Sequence, residues 1–359
     1  MDQIIPFLFL MLGALLLTAL SIPLIKRLAW HLDLVDHPAS DAHKSHQRAT
    51  PYGGGLAIYL GATLALLAAA GLSWPFPSGV LAEASPIFLP PLLAATLLFA
   101  MGLLDDWRQL PPLPRFLIQL AVTAGLVVGW PEFRLALFAA PALPAALMAA
   151  LWIAVMTNAF NFLDNMDGLS AGIAAIVLAL LGCMSLLSGH LPCAILSFVL
   201  VGAIAGFLFY NFPPASIFMG DAGGLFLGFL ASSASILLSN HLIQTHPTPP
   251  LDFPRSCAPL LLLSVPLYDF VTVNLIRLYH RVPPWIGDNN HISHRLVRLG
   301  LSRRAAVLVI YAATLLTGLV GLLLVAFPTW NSWLLLAVPS FAFSVAVFDL
   351  AKFRRQSES

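Results

Sequence analysis

The stretch NFLDNMDGL, residues 161–169, separates two long apolar runs and carries two carboxylates, those of Asp164 and Asp167. The apolar run before it ends near Met156, and the next begins just after Leu169. Because ionisable groups beside hydrocarbon are costly, membrane proteins keep them mainly where they act. Hydrophobic residues make up 59% and charged residues 9% of the chain, against roughly 25% charged residues in soluble domains. The sequence therefore predicts an all-α, polytopic integral membrane protein.

Eleven apolar segments are long enough to cross a bilayer, which takes roughly 20 residues of helix. The first is expected to be a span and not a signal peptide, because its start, MDQII, has no positive charge. One transmembrane domain is predicted over 1–359, with two spans and a short basic tail in 305–359. The predicted spans are residues 4–25, 53–72, 86–104, 114–130, 137–157, 168–188, 192–211, 222–240, 257–279, 305–327 and 332–351.

The distribution of Lys and Arg predicts the orientation of these spans. If the N-terminus is outside, all of the 17 Lys and Arg residues except Arg134 and Arg255 lie on the inner side. The positive-inside rule therefore predicts an outside N-terminus and a cytoplasmic C-terminus. Acidic residues then collect where spans meet the cytoplasm, in five separate loops. They are Asp36, Asp41, Asp105, Asp106, Asp164, Asp167, Asp221 and Asp288.

The first inner motif is DHPASDAHKSHQRATPYGGG, residues 36–55, which contains Lys44 and His46 and ends in three glycines. Glycines let the backbone approach a bulky anionic ligand, and the N-terminus of the following helix favours negative charge. The alternative is an ordinary positively charged cytoplasmic loop with a turn.

The second motif is GLLDDWRQL, residues 102–110, in which Asp105 and Asp106 end a predicted span. Adjacent carboxylates at a membrane boundary are costly unless they are solvated, protonated or bound to a metal. Mg²⁺ is usually held by one or two carboxylates together with substrate phosphates. The alternative is a hydrated helix end, but no basic residue directly precedes the pair to neutralise it, which favours a functional role.

The third motif extends the opening stretch, so that Asn158, Asn161, Asp164 and Asp167 recur at every third residue. On a helix such neighbours share a face, and the set would wrap part of a groove. Two amides and two carboxylates can coordinate a metal and hydrogen-bond a ribose or a base. Helix capping could explain one of these residues but hardly four, which makes this the strongest local signal in the chain.

The fourth motif is NFPPASIFMGDAGGLFLG, residues 211–228, in which Asp221 opens a predicted span and two glycines follow closely. A common alternative is an aspartate that caps the N-terminus of its own helix. In the functional interpretation, the carboxylate binds a metal and the neighbouring amides bind a phosphate.

The fifth motif is DNNHISHRLVRLGLSRR, residues 288–304. His291, His294 and Arg295 suit pyrophosphate recognition, because imidazoles donate hydrogen bonds and a guanidinium forks onto phosphate oxygens. A zinc site on the two histidines is an alternative that lacks an obvious third ligand. Asp269 lies well inside a predicted span and is expected to pair with a polar neighbour in the bundle.

In this order the five motifs resemble those of the polyprenyl-phosphate N-acetylhexosamine-1-phosphate transferase family, glycosyltransferase family 4, over residues 33–304. The chain looks closest to the bacterial undecaprenyl-phosphate N-acetylglucosaminyl-1-phosphate transferases. The muramoyl-pentapeptide branch has three consecutive histidines followed by Phe-Glu, whereas here HISHRL continues through Arg295 and Leu296. The chain departs from the family pattern at Gln109, where a third aspartate is common, at Ser293, where histidine is common, and at His43, where arginine is common.

The resemblance implies transfer of an N-acetylhexosamine 1-phosphate, in the first instance N-acetylglucosamine 1-phosphate, from a UDP-sugar to undecaprenyl or another polyprenyl phosphate, with release of UMP. This would be the first membrane step in the synthesis of a cell-envelope glycan such as lipopolysaccharide or another polysaccharide. Mg²⁺ is the implied cofactor, with Mn²⁺ as a substitute. The resemblance also implies the bacterial inner membrane, a cytoplasmic active site, no nucleic-acid partner, and allows a homodimer.

The implied roles of the motif residues fall into five groups. Asp221 and Asn161 would bind the metal, and Asp105 and Asp106 would orient or deprotonate the lipid phosphate. Asp167 and Phe218 would hold the uridine, and Asp164 would contact the substrate or the residues around the metal. The residues that would bind substrate phosphates and neighbouring groups are Lys44, His46, Asn158, His291, His294 and Arg295.

Two other functions remain open from the sequence. One is the same chemistry with a different donor, such as the muramoyl-pentapeptide or another UDP-sugar. The other is a channel or transporter, which would need polar residues along a path through the membrane. The acidic residues crowd one face of the predicted bundle instead, which favours the transferase.

Overall fold

The computed structural model describes residues 4–36, 49–72, 74–76, 79–137, 140–245, 253–283 and 288–327. Within these ranges the chain is helical apart from one short β-hairpin, one 3₁₀ turn and connecting loops. The elements in chain order are α1 (Ile5–His31), β1 (Val35–Asp36), β2 (Thr50–Pro51), α2 (Gly54–Leu72), α3 (Val80–Arg108), α4 (Pro112–Gly129), α5 (Ala142–Leu163), α6 (Leu169–Ser188), α7 (Leu191–Asn211), α8 (Gly220–Thr245), α9 (Phe253–Leu261), α10 (Ser264–Tyr279), α11 (Ile292–Arg298) and α12 (Arg303–Ala326).

Among the described residues, nine helices are long and apolar enough to cross a membrane, namely α1 to α8 and α12. Helices α9 and α10 make a tenth if the bent pair counts as one span. The chain is therefore a multi-pass, all-α membrane protein. The eleventh predicted segment, residues 332–351, lies outside the described residues, so the total of eleven spans and the orientation stay predictions.

The span predicted over residues 257–279 is not one continuous helix, because α9 and α10 are separate helices that meet at 59°. Pro266 lies in the first turn of α10 and has no N–H to donate to the carbonyl of Leu262. In a continuous helix its ring would also collide with that carbonyl. The first helix therefore ends at Leu261, and the second begins at Ser264.

Helix α8 forms the centre of the bundle, because its most apolar stretch is buried along its whole length. It packs against α2, α3, α5, α6 and α9. Small residues allow this close packing between membrane helices. A Cβ atom on Gly102 of α3 would lie 2.6 Å from the backbone of Ala222, and one on Gly224 would lie 3.0 Å from the Cα of Asn161. The ends of α3 and α5 that carry the second and third motifs therefore lie directly against the start of α8.

The β-hairpin joins the first motif to the fourth. Strands β1 and β2 pair antiparallel, with Asp36 opposite Thr50. The N–H of Phe218 donates to the carbonyl of Pro51 at 2.9 Å, and the N–H of Gly54 donates to the carbonyl of Phe218 at 2.9 Å. The glycine-rich start of α2 is therefore bound to the loop that precedes α8.

Candidate active site

Asp221, in the first turn of α8, is the residue on which three other helices converge. Its Oδ1 accepts a hydrogen bond from Nδ2 of Asn161 on α5 at 2.9 Å. Its Oδ2 accepts one from Nη1 of Arg115 on α4 at 3.0 Å. Its backbone N–H donates to Oδ1 of Asp106 on α3 at 2.7 Å. The two predicted metal ligands are thus adjacent, and the second, third and fourth motifs meet at one end of the bundle.

Asp106 caps helix α8 from the neighbouring helix α3. Its carboxylate accepts hydrogen bonds from the N–H groups of Asp221 at 2.7 Å and Ala222 at 3.2 Å. A carboxylate in this place satisfies free N–H groups and complements the helix dipole. Gly220 has φ +76°, and a Cβ there would lie 2.5 Å from Oδ2 of Asp106, so the position requires glycine. The capping carboxylate of α8 is therefore Asp106 and not Asp221, for which capping was the alternative interpretation.

Arg115 supplies the cation that no preceding residue offers to the Asp105–Asp106 pair. Asp105 is buried. It accepts a hydrogen bond from the N–H of Leu110 at 2.6 Å and forms an ion pair with Nη1 of Arg115. The same nitrogen reaches Asp221, so one guanidinium bridges the acids of the second and fourth motifs. In the sequence, Arg115 counts only as one of the positive-inside residues, and its place soon after the acidic pair was the available signal.

The spacing of the third motif predicted four residues on one helix, with neighbours sharing a face, but only the first two lie on a helix. Helix α5 ends at Leu163, so Asn158 and Asn161 lie on the helix, whereas Asp164 and Asp167 lie in the turn that follows. Asn158 points towards α4, where its Nδ2 donates to Oε1 of the buried Gln119 at 2.7 Å and to the carbonyl of Ala154 at 2.8 Å. Only Asn161 contacts Asp221 directly through its side chain.

The turn after α5 is tied to several elements at once. Oδ2 of Asp167 accepts a hydrogen bond from the N–H of Ala215 at 2.9 Å, in the loop before α8. The N–H of Gly168 donates to Oδ1 of Asn211 at 2.9 Å, and its carbonyl accepts from the hydroxyl of Tyr311 on α12. The turn is therefore held in one geometry beside Asp221.

Asp164 is crowded by other acids in this turn. Its burial and the nearby carboxylates of Asp221 and Asp167 raise the pKa of Asp164 to about 7. The backbone N–H of Gly220, which hydrogen-bonds the carboxylate, acts in the opposite direction. Negative charge is thus concentrated where a cation would relieve it.

Phe218 is half-buried in the loop before α8, and its ring lies beside that of Tyr52, with centroids 6.1 Å apart. It is two residues before Gly220, at the start of the helix that carries Asp221. The ring predicted to stack on uridine therefore lies between the first motif and the acidic centre. Lys44 and His46 of the first motif lie outside the described residues.

The polar partner of Asp269, which the sequence did not identify, is His291. The carboxylate is fully buried; its Oδ2 lies 2.7 Å from Nδ1 of His291, and its Oδ1 accepts from the N–H of Ile292 at 2.6 Å. These contacts dock the start of α11 onto α10. They engage Nδ1 of the imidazole, so Nε2 is the nitrogen that can meet a ligand.

His294 and Arg295, which are both predicted to bind substrate phosphates, lie on α11. Burial, together with the nearby His291 and Arg298, lowers the pKa of His294 to about 4, so at neutral pH it is an uncharged donor. Arg295 is buried, and its Nη2 donates to Oγ1 of Thr272 on α10 at 3.2 Å.

Ser293, one of the departures from the family pattern, faces the third motif. Its hydroxyl donates to Oδ1 of Asn165 at 2.6 Å. Asn165 in turn donates from Nδ2 to the carbonyl of Phe162 at 2.8 Å. The serine therefore links α11 to the turn that carries Asp164 and Asp167.

The donor set around Asp221 fits a hard divalent cation. Among the residues that the structure describes, no group of three or more His, Cys, Asp or Glu side chains is arranged to hold a metal by itself. Mg²⁺ does not need such a group, because it is usually bound by one or two carboxylates together with substrate phosphates. The carboxylate of Asp221 and the amide oxygen of Asn161 would supply the protein ligands.

Comparison with known proteins places these motifs in a family. The chain matches the model of glycosyl transferase family 4 over residues 88–239, which include the second, third and fourth motifs. It is 34% identical over 326 residues to the probable undecaprenyl-phosphate N-acetylglucosaminyl 1-phosphate transferase of Bacillus subtilis, covering 88% of this chain and 85% of that protein.

Two further relatives are similar over most of their length. The decaprenyl-phosphate N-acetylglucosaminephosphotransferase of Mycolicibacterium smegmatis is 33% identical over 288 residues, covering 74% of this chain and 70% of that protein. The undecaprenyl-phosphate alpha-N-acetylglucosaminyl 1-phosphate transferase of Escherichia coli is 30% identical over 322 residues, covering 85% of this chain and 80% of that protein.

Proposed function

The chain belongs to glycosyl transferase family 4, and on this premise we propose that it transfers N-acetylglucosamine 1-phosphate from UDP-N-acetylglucosamine to a polyprenyl phosphate and releases UMP. The names of the relatives state the sugar phosphate and the polyprenyl acceptor. The observation that carries the proposal is the convergence of Asp106, Arg115 and Asn161 on Asp221 at one end of a membrane-spanning bundle. There a water-soluble anionic donor can meet a lipid acceptor.

Phosphoryl transfer depends mostly on holding the reacting groups in line and on neutralising phosphate charge. Asp221 and Asn161 would hold Mg²⁺, which when bound neutralises negative charge on the donor pyrophosphate. Arg115 adds a donor for phosphate oxygens, and His291 would add its Nε2–H in the form of the ring that carries a proton on both nitrogens. His294 would contribute an uncharged N–H. It would become positively charged only if a bound phosphate favoured its protonation.

The remaining motif residues would position the two substrates. We assign Phe218 to stacking on the uracil and Asp167 to hydrogen bonds with the uridine, beside the loop that Asp167 already contacts through Ala215. Asp105 holds Arg115, and Asp106 holds the start of α8. In this proposal the two acids therefore orient the acceptor phosphate through Arg115 and the first turn of α8. No protein base is required, because the second pKa of a phosphate monoester is about 6.

The proposed place of reaction is the cytoplasmic face of a bacterial inner membrane. The distribution of Lys and Arg supports this orientation through the positive-inside rule. A nucleotide sugar made in the cytoplasm would then reach the acidic centre directly, and the product would be the first lipid-linked intermediate of an envelope glycan.

The test is UMP release by the purified protein with undecaprenyl phosphate, Mg²⁺ and a panel of UDP-sugars. We expect release with UDP-N-acetylglucosamine that stops on adding EDTA. Release only with another UDP-sugar, such as UDP-muramoyl-pentapeptide, would keep the reaction and change the donor. Absence of release with every donor, from folded protein, would refute the proposal.

The matched variant for this test is Asp221→Asn, which keeps the shape of the side chain and removes its charge. We expect UMP release to fall at least about 1000-fold, since charge stabilisation at a reacting phosphate commonly accounts for losses of this size. Glu83→Gln is the control, because Glu83 lies in the first turn of α3, whereas Asp105 and Asp106 lie near the other end of that helix. Appreciable turnover by the Asp221 variant would contradict the metal role.

A further inference from the structure

Both carboxylate oxygens of Asp221 are bound to nitrogen donors rather than left open to a cation. Nη1 of Arg115 lies 3.0 Å from Oδ2, and Nδ2 of Asn161 lies 2.9 Å from Oδ1. A divalent cation takes oxygen ligands. It can bind Asp221 only if the guanidinium leaves and the Asn161 amide turns to present its oxygen.

Arg115 and a divalent cation would occupy the same position between the carboxylates of Asp105 and Asp221. Nη1 of Arg115 contacts the carboxylates of Asp105 and Asp221 together, so the guanidinium lies between the two acids. Two positive charges at this place would repel each other strongly. Arg115 and a divalent cation are therefore competing counter-ions of the same carboxylate.

The side chain of Arg115 can also move away from the two carboxylates. It lies in the first turn of α4, and its side chain is 29% exposed. Its neighbours Leu113, Phe116 and Leu117 are exposed on the lipid-facing surface of that helix. The guanidinium therefore lies at the boundary between the acidic centre and the membrane, where its long side chain can turn outwards to a phosphate.

We propose that Arg115 exchanges with the divalent cation at Asp221: it is the counter-ion of Asp105 and Asp221 in the metal-free enzyme, and it moves to a substrate phosphate when the cation binds. This inference rests on the proposed function, because it takes the reaction to need a divalent cation. Since the phosphate gives Arg115 a new partner, cation binding and phosphate binding favour each other.

The first test measures Mn²⁺ binding to purified protein without substrate, by electron paramagnetic resonance of the free ion. We expect Arg115→Met to bind Mn²⁺ about tenfold or more tightly than wild type, because the competing charge is gone. Arg108→Met is the matched control: it removes an arginine from the same region, one whose guanidinium lies over Trp107 at 4.9 Å. Its Mn²⁺ affinity should stay within about twofold of wild type.

A more conservative variant keeps the test decisive if Arg115→Met does not fold. Arg115→Lys retains one positive charge, but it is carried on a compact, strongly hydrated ammonium, which holds the two carboxylates less tightly than a guanidinium. We expect its Mn²⁺ affinity to lie between those of wild type and Arg115→Met. Gel filtration in detergent and thermal unfolding establish that each variant is folded.

The second test identifies which phosphate Arg115 meets. In steady-state kinetics at saturating Mg²⁺, Arg115→Lys should raise the KM for undecaprenyl phosphate if Arg115 binds the phosphate of the lipid acceptor. It would raise the KM for UDP-N-acetylglucosamine if the partner is the donor. An unchanged KM for both would overturn the movement of Arg115 to a substrate.

The outcomes separate this inference from the proposed function. Equal Mn²⁺ affinity in wild type and Arg115→Met, or an equal gain in Arg108→Met, would overturn the exchange while leaving the transferase activity in place. Failure of wild type to release UMP from any donor would overturn the proposed function instead, and the Mn²⁺ titration would still decide whether Arg115 competes with a cation.

Discussion

The carboxylate of Asp269 shows how a single buried residue can act through its neighbour. It holds the Nδ1 side of His291 and the N–H of Ile292, and it has no exposed surface of its own. A carboxylate so placed selects one tautomer and one orientation of the imidazole. Asp269 is therefore expected to position His291 for substrate phosphate and not to contact the substrate.

Asp269→Asn should lower kcat/KM by roughly 10- to 100-fold, because it removes a charge-assisted hydrogen bond worth about 1.5–3 kcal/mol. The measurement is UMP release at varied UDP-N-acetylglucosamine. The control is a double-mutant cycle with His291→Gln, in which the double variant should be no worse than His291→Gln alone. Additive losses would show that Asp269 acts independently of His291.

A second residue-scale prediction follows from the pKa of Asp164, which burial and the neighbouring acids raise to about 7. Because the pKa of Asp164 is raised in the folded state, protonation of its carboxyl favours the folded, metal-free protein at low pH. This contribution to the free energy of unfolding is lost as the pH rises through about 7. In EDTA, Asp164→Asn should therefore raise the Tm at pH 8 by a few degrees and change it less at pH 5. An equal Tm difference at both pH values would contradict this cause.

At the scale of elements, the site exists because helix ends approach α8 more closely than ordinary side chains allow. Gly102 brings the end of α3 against Ala222, and Gly224 brings α5 against the start of α8. The hydrogen bonds of Asp106 and Asn161 to Asp221 depend on these approaches, because a hydrogen bond weakens steeply when its geometry is lost.

Gly102→Ala should separate α3 from α8, because the added Cβ would lie 2.6 Å from the backbone of Ala222. We expect a loss of about 1–3 kcal/mol in the free energy of unfolding, with reduced turnover. Gly125→Ala in α4 is the control, since a Cβ there meets nothing within 4 Å. Thermal unfolding in detergent compares the two, and equal stability of both variants would contradict the packing argument.

At the scale of the whole molecule, the orientation in the membrane decides which compartment supplies the donor. The positive-inside rule predicts a cytoplasmic acidic centre, with the turn after α4 outside. In a background in which Cys183, Cys193 and Cys257 are replaced by alanine, Trp130→Cys should react with a membrane-impermeant thiol reagent in spheroplasts. Arg298→Cys should react only after permeabilisation. The reverse pattern would invert the topology and place the proposed donor site on the wrong side.

The sequence alone was sufficient for the class of fold and for most of the span positions, because bilayer-length apolar runs must be helical to satisfy their backbone hydrogen bonds. It also identified the acidic motifs and the glycines at the start of α8, since ionisable groups and paired small residues stand out in an apolar chain. The break between α9 and α10 was missed, although Pro266 was visible, because the apolar run continues through it.

Only the tertiary structure decided which polar groups meet. Arg115 with Asp221 and Asp269 with His291 are separated in sequence by 106 and 22 residues. Their pairing depends on how the helices pack, and no local periodicity encodes it. The same packing places Asp164 and Asp167 in a turn beyond α5 and assigns the capping of α8 to Asp106. Burial then changes the chemistry of these groups, because desolvation and neighbouring charges act through distances that a sequence does not contain.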